Sequence, residues 1–148
     1  MKTILVPVDL SAATARVCAA ACTLARLLQA RLVLLHVVPP QPLLPGDLYA
    51  FDAGAVADAM AAEEKLAARK LRALVRRCAG KKLPAQSVQT TGVPAAEILA
   101  RAAGLKADYI VIGSHGHGVA YDLLIGSAVQ GVLRKANCPV LVIPIKQR

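Results

Sequence analysis

The sequence predicts an α/β fold: one domain over residues 1–148, built on a single open, doubly wound, five-stranded parallel sheet of Rossmann-like type with helices on both faces. Two observations lead there. Short β-rich apolar runs alternate with longer helical stretches in the order β-α-β-α-β-α-β-α-β, the pattern of a parallel sheet covered on both sides. The 56% hydrophobic content is almost all aliphatic, with no Trp and one Phe, which suits strands buried between helical layers. A chain of 148 residues fits one compact domain and buries roughly 70% of the surface it exposes when unfolded.

Thr3–Val8 reads as the first buried strand. Pro7 is unexpected inside it, since proline is rare in inner strands, and its place at the C-terminal end is where the ladder should already have stopped. Ala12–Leu28 is a helix with Val17, Ala21, Leu24 and Leu28 inward and Ser11 as its expected N-cap. Arg31–Val37 is a strand apolar on both faces. Val38–Asp52, with Pro39, Pro40, Pro42, Pro45 and Gly46, is a loop long enough to imply a purpose. A helix follows from Ala55 to Cys78, ended by Gly80, and then Ala85–Thr90, an alternating edge strand. Pro94–Ala103 is a helix with proline in its first turn and Gly104 at its end. Tyr109–Gly113, a glycine-rich loop, the helix Ser127–Lys135 and the strand Val140–Ile143 complete the chain.

The net charge is +9, and much of the excess lies between Lys65 and Lys82. On a helix, Lys65, Arg69, Arg72 and Arg76 share one face opposite Met60, Ala67, Leu71, Leu74 and Cys78, the ordinary arrangement of an amphipathic surface helix. That reading is preferred to a nucleic-acid interface, and the positive field equally favours a small polyanion. At the N-terminus Lys2 precedes only the short apolar run Ile4–Val8, ended by Asp9, which is too short for a signal peptide. No apolar stretch reaches the roughly 18 residues of a membrane span, so a soluble cytoplasmic protein is expected. The four cysteines, Cys18, Cys22, Cys78 and Cys138, follow no zinc or redox spacing; Cys18 and Cys22 read as small buried hydrophobes on one helix face.

In an open α/β sheet, ligands bind beyond the C-terminal strand ends where the strand order reverses. The residues there should follow the first strand (Pro7, Val8, Asp9), the second (Val37) and the fourth (Gly113 onward). The fourth strand runs into Gly113-Ser114-His115-Gly116-His117-Gly118-Val119, and nine residues separate Gly116 from Gly126-Ser127-Ala128, which opens a helix. Glycines let a backbone approach a ligand closely. A helix N-terminus offers N–H groups and a favourable dipole to an anion, so the two ends of the segment could converge on one phosphate chain. A loop followed by a serine-capped helix is the alternative. Neither a GxxxxGK[ST] loop nor a GxGxxG after the first strand is present.

The segment resembles the Gly-2x-Gly-9x-Gly-[Ser/Thr] signature of the ATP-binding branch of the universal stress protein family. The likeness extends over nearly the whole chain, through Ile4–Asp9, Leu34–Val37, Gly92–Pro94, Ala107–Gly116 and Ala136–Ile143. It implies an adenine nucleotide alpha hydrolase-like fold and a regulatory stress-response protein holding ATP, with Mg²⁺ carried on the phosphates. By resemblance, Asp9 accepts a hydrogen bond from the adenine amino group, with Pro7, Val8 and the Val37 backbone around the base. Gly113, Ser114, His115, Gly116, His117, Gly118 and Val119 line ribose and phosphates, and Gly126, Ser127 and Ala128 hold the phosphates. Asp9 also competes as a cap for the first helix. His115 and His117 are too close together in a loop to make a convincing metal pair, so no metal site is expected.

No Lys or Arg lies between Gly113 and Ser127 to stabilise a transferring phosphoryl group, so no catalytic residue is expected and at most slow ATP hydrolysis. A slow ATPase or phosphotransferase and a basic nucleic-acid-binding module stand as the other readings. The last strand is apolar on both faces and expected at a sheet edge, which invites pairing with a second copy. The resemblance also implies a homodimer through that strand.

Overall fold

A computed structural model describes residues 1–40, 53–79, 83–114 and 125–145. Five strands, β1 (Thr3–Pro7), β2 (Arg31–Val38), β3 (Ala85–Thr91), β4 (Tyr109–Gly113) and β5 (Val140–Ile143), form one parallel sheet in the order β3-β2-β1-β4-β5. Four helices, α1 (Thr14–Leu28), α2 (Ala53–Cys78), α3 (Pro94–Gly104) and α4 (Ser127–Lys135), connect them.

Strand side chains alternate between faces, and the inner strands feed two separate cores. Ile4, Val6, Leu32, Leu34 and Val111 pack on Val17, Ala21 and Ala25 of α1 and on Leu71 and Cys78 of α2. Leu5, Val33, Leu35, Ile110 and Ile112 pack on Ile98 and Ala102 of α3 and on Val129 and Val132 of α4. This is the doubly wound architecture expected from the alternation, with β3 and β5 at the edges. Small residues let α3 and α4 approach closely: a Cβ placed on Gly131 would lie 2.8 Å from the Ala95 Cβ.

Several boundaries differ from expectation for local reasons. β1 ends at Pro7; Val8 N–H still donates to the Leu35 carbonyl (2.8 Å), and the β1–β4 register ends at Leu5, so the missing proline donor interrupts nothing. α1 starts at Thr14, two residues later than read, and Ser11 is not its N-cap. Ser11 instead opens a turn in which its hydroxyl accepts from Ala13 N–H (3.3 Å). α3 ends at Gly104, which is its last helical residue rather than the first beyond it, and the left-handed residue past that helix is Lys106 (φ 49°).

Met60 was expected on the buried face of α2 but is 48% exposed, and all of Gly54–Leu66 is exposed. The reason is length. A helix of 26 residues spans about 39 Å, whereas the neighbouring strand of 7 residues spans about 23 Å. Only the C-terminal half of α2 meets the sheet, through Leu71, Leu74, Val75 and Cys78. The expected Gly80 stop and most of the proline-rich loop lie outside the described residues. No described helix is long and apolar enough to cross a membrane.

Candidate functional site

The chain leaves β1 toward β2 on one side and reaches β4 on the other, so the strand order reverses between β1 and β4. A cavity of about 310 Å³ opens there, beyond the C-terminal strand ends. Its floor is Pro7, Val8 and Asp9 after β1, His36, Val37 and Pro39 at the end of β2, and Ile112 and Gly113 at the end of β4. Thr14 and Val17 of α1 line one flank; Ile98 of α3 and Ala128 and Val129 of α4 line the other. Most of these side chains are apolar, as in a pocket that takes a flat organic ring and orients it with a few polar groups.

Asp9 is the acidic group among the described residues that line this cavity, and the chain is bent to present it. Leu10 takes the left-handed conformation (φ 61°), sparsely populated for a leucine, and turns the backbone from β1 into α1. Asp9 Oδ1 accepts hydrogen bonds from Ser11 N–H (3.0 Å) and from the Thr14 hydroxyl (3.2 Å). The carboxylate therefore caps the turn into α1, as one of its two expected roles required, while it lines the cavity. His36 Nδ1 lies 2.9 Å from the Val8 carbonyl oxygen. A carbonyl only accepts, so Nδ1 carries the proton, and the β2 side chain pins the peptide immediately before Asp9.

On the opposite side Gly126 precedes α4 in an extended conformation (φ −59°, ψ 150°). Its N–H donates to the Ser114 carbonyl (3.0 Å), and its own carbonyl accepts from Gln130 N–H (3.0 Å). The expectation that Gly126 offers a free N–H to a phosphate is thus corrected: that donor closes the join between β4 and α4. Ser127, Ala128 and Val129, the first residues of α4, have no intrahelical acceptor for their N–H groups, and the positive end of the helix dipole lies with them. Ser114 is 8% exposed. Its N–H donates to the Ile143 carbonyl (2.8 Å), and its Oγ accepts from Ile145 N–H (3.0 Å), tying β5 to the end of β4.

Of the residues singled out from the sequence, Pro7, Val8, Asp9, Val37, Gly113 and Ala128 all line the one cavity. Ser114 follows the lining residue Gly113 and Ser127 precedes the lining residue Ala128, but neither they nor Gly126 line the cavity. His115, Gly116, His117, Gly118 and Val119 lie outside the described residues. Sequence reasoning missed His36, Thr14, Val17, Ile98 and Ile112. A histidine inside the otherwise apolar run Leu32–Val38 was the available signal for the first. The others are indistinguishable from core by pattern, because they are core residues at the rim.

The chain matches the model of the universal stress protein family over residues 1–144. It is 34% identical to a universal stress protein of Thermus aquaticus, over 96% of this chain and 98% of that one. The universal stress protein UspA from Lactobacillus plantarum has the same fold, with a TM-score of 0.82 and 27% identity over 96% of this chain and 97% of that one. A universal stress protein from Archaeoglobus fulgidus, solved in complex with dAMP, shares the fold at a TM-score of 0.65 and 23% identity, over 97% of this chain and 98% of that one. With the family model matched over residues 1–144 and a 34% identical relative covered over nearly its whole length, the chain belongs to the universal stress protein family.

Proposed function

We propose that this universal stress protein is a regulatory protein that binds an adenine nucleotide, ATP in the first instance, in the cavity between β1 and β4. One observation carries the reading: a carboxylate and a helix N-terminus face the same apolar cavity from opposite sides. The adenine ring lies on Val8, Val37 and Ile112 with its amino group donating to Asp9. The phosphates extend toward the N–H groups of Ser127 and Ala128 and the Ser127 hydroxyl, with Mg²⁺ carried on them. The solved dAMP complex of the Archaeoglobus protein is consistent with a fold that accommodates an adenine nucleotide. A regulatory role is favoured over phosphoryl transfer because no Lys or Arg lies between Gly113 and Ser127.

Thermal unfolding of nucleotide-free protein tests this. A ligand at 100 times its Kd contributes about 2.7 kcal/mol, so millimolar Mg-ATP should raise Tm by roughly 5–10 °C for a Kd of about 10 μM. No shift up to several millimolar ATP overturns the proposal. Gly126→Asp places a negative charge at the start of α4 and should abolish the shift while far-UV circular dichroism stays native. A full shift in that variant would place the phosphates elsewhere.

A further inference from the structure

Three cysteines meet where α2 reaches α1. Cys18 and Cys22 lie one turn apart on α1, and Cys78 is the last residue of α2. They are 5%, 6% and 3% exposed within the same apolar cluster, and all are free thiols. The Cys78 thiol lies next to both thiols of α1. Three thiols together would suit a soft metal, yet among the described residues no three His, Cys, Asp or Glu side chains are placed to hold one.

The geometry separates the pairings. Cβ atoms four residues apart on a helix are about 5–6 Å from each other, beyond the roughly 3.5–4.5 Å of a disulfide. Cys18 and Cys22 therefore cannot bond without unwinding α1, and Cys78, arriving from another helix, is the group that can close a bridge. We propose that Cys18 and Cys78 form a redox-modification site, oxidised by a hydroperoxide to an inter-helix disulfide that fastens the end of α2 to α1.

The chemistry assigns the roles. The neighbouring Cys78 thiol lowers Cys18 from its ordinary value, and the same contact raises Cys78. Burial, with its contact to Cys78, pushes Cys22 up to about 12. Cys18 is thus the thiolate former and the nucleophile. With hydrogen peroxide its sulfur attacks one peroxide oxygen: the S–O bond forms, the O–O bond breaks, and the departing hydroxide takes the Cys18 proton as water. The Cys78 sulfur then attacks the Cys18 sulfenic acid. The S–S bond forms, the S–O bond breaks, and hydroxide leaves with the Cys78 proton as a second water. Two thiols are oxidised by two electrons and one peroxide is reduced to two waters. Access comes from the end of α2, since terminal helical turns open most readily. The consequence is mechanical: α2 meets the sheet only through its C-terminal half, and the bridge clamps that half in place.

The test uses the full-length reduced protein, treated with a modest excess of hydrogen peroxide, quenched, and alkylated with N-ethylmaleimide in denaturant. All four thiols of the reduced protein should be labelled, against two after oxidation. Trypsin places Cys18 and Cys22 in residues 17–26 and Cys78 in residues 78–81. These peptides should be found linked, with fragmentation putting the bond on Cys18. Hydrogen exchange over the last two turns of α2 should slow, and dithiothreitol should reverse both effects. Cys138→Ser and Cys22→Ala should still cross-link. Four labelled thiols after peroxide, a bridge that forms only in urea, or one through Cys138 overturns the site. A bond to Cys22 overturns the assignment of Cys18.

Discussion

The backbone N–H of Gly126 meets the carbonyl of Ser114 at 3.0 Å, so the start of α4 is fastened directly to the end of β4. The same Ser114 receives Ile145 N–H on its hydroxyl, and one buried residue holds helix, strand and C-terminal segment together. Ser114→Ala keeps the backbone bonds and deletes the hydroxyl. It should cost about 1–2 kcal/mol, lowering Tm by roughly 2–8 °C, with faster hydrogen exchange at Ile145. An unchanged Ile145 exchange rate would show that the hydroxyl does not hold this segment.

Asp9 serves α1 and faces the cavity, and two substitutions separate those duties. Asp9→Ala removes the acceptor used by Ser11 N–H and Thr14 and should destabilise the protein by about 1–2 kcal/mol. Asp9→Asn retains an oxygen for the turn and offers an amide donor where the adenine amino group should approach. Its stability should stay within about 0.5 kcal/mol of the parent, while ATP affinity falls ten-fold or more. Calorimetric titration that gives Asp9→Asn the parent affinity would remove the adenine contact.

Gly131 reverses a usual rule. Glycine to alanine inside a helix ordinarily stabilises by about 1 kcal/mol. Here the new methyl would sit 2.8 Å from the Ala95 Cβ, and neither helix has a flexible side chain there to yield. Gly131→Ala should therefore be destabilised by about 1–2 kcal/mol, and adding Ala95→Gly should recover part of the loss. A rise in Tm on Gly131→Ala alone would show that the two helices separate without cost.

Assembly is testable at β5. Val140 and Val142 pack back against α3 and α4, whereas Leu141 is 42% exposed, so the side chain offered to a partner is Leu141. A homodimer through this edge should scatter light at twice the 15.4 kDa chain mass, and Leu141→Lys should shift it toward monomer with an unchanged Tm at high dilution. A monomeric parent at tens of micromolar protein rejects the dimer.

The element order and the helical cover on both faces were legible because apolar runs and helical stretches alternate cleanly, and β4, α4 and β5 begin and end where their patterns do. The cavity floor was legible too, since Asp9 interrupts an apolar strand and Gly113 ends another. What pattern could not reveal were properties set by distant partners. Met60 has the spacing of a core residue, but no described strand lies beneath it. Gly126 reads as a free donor until β4 brings the Ser114 carbonyl to it. Cys78 reads as one more apolar position until α1 places two thiols beside it.

The two sheet edges differ in chemistry. β5 presents Val140–Ile143, while β3 carries Gln86, Ser87, Gln89, Thr90 and Thr91 and no large apolar residue except Val88. A sheet with two greasy borders can add copies at both ends and grow without limit, as fibrils do. Here one border is hydroxyl- and amide-rich, so any contact between copies through apolar strands must use the same border on each and is complete after one addition. The polar composition of β3 thus leaves apolar pairing a single border to use, and a pair of copies satisfies it.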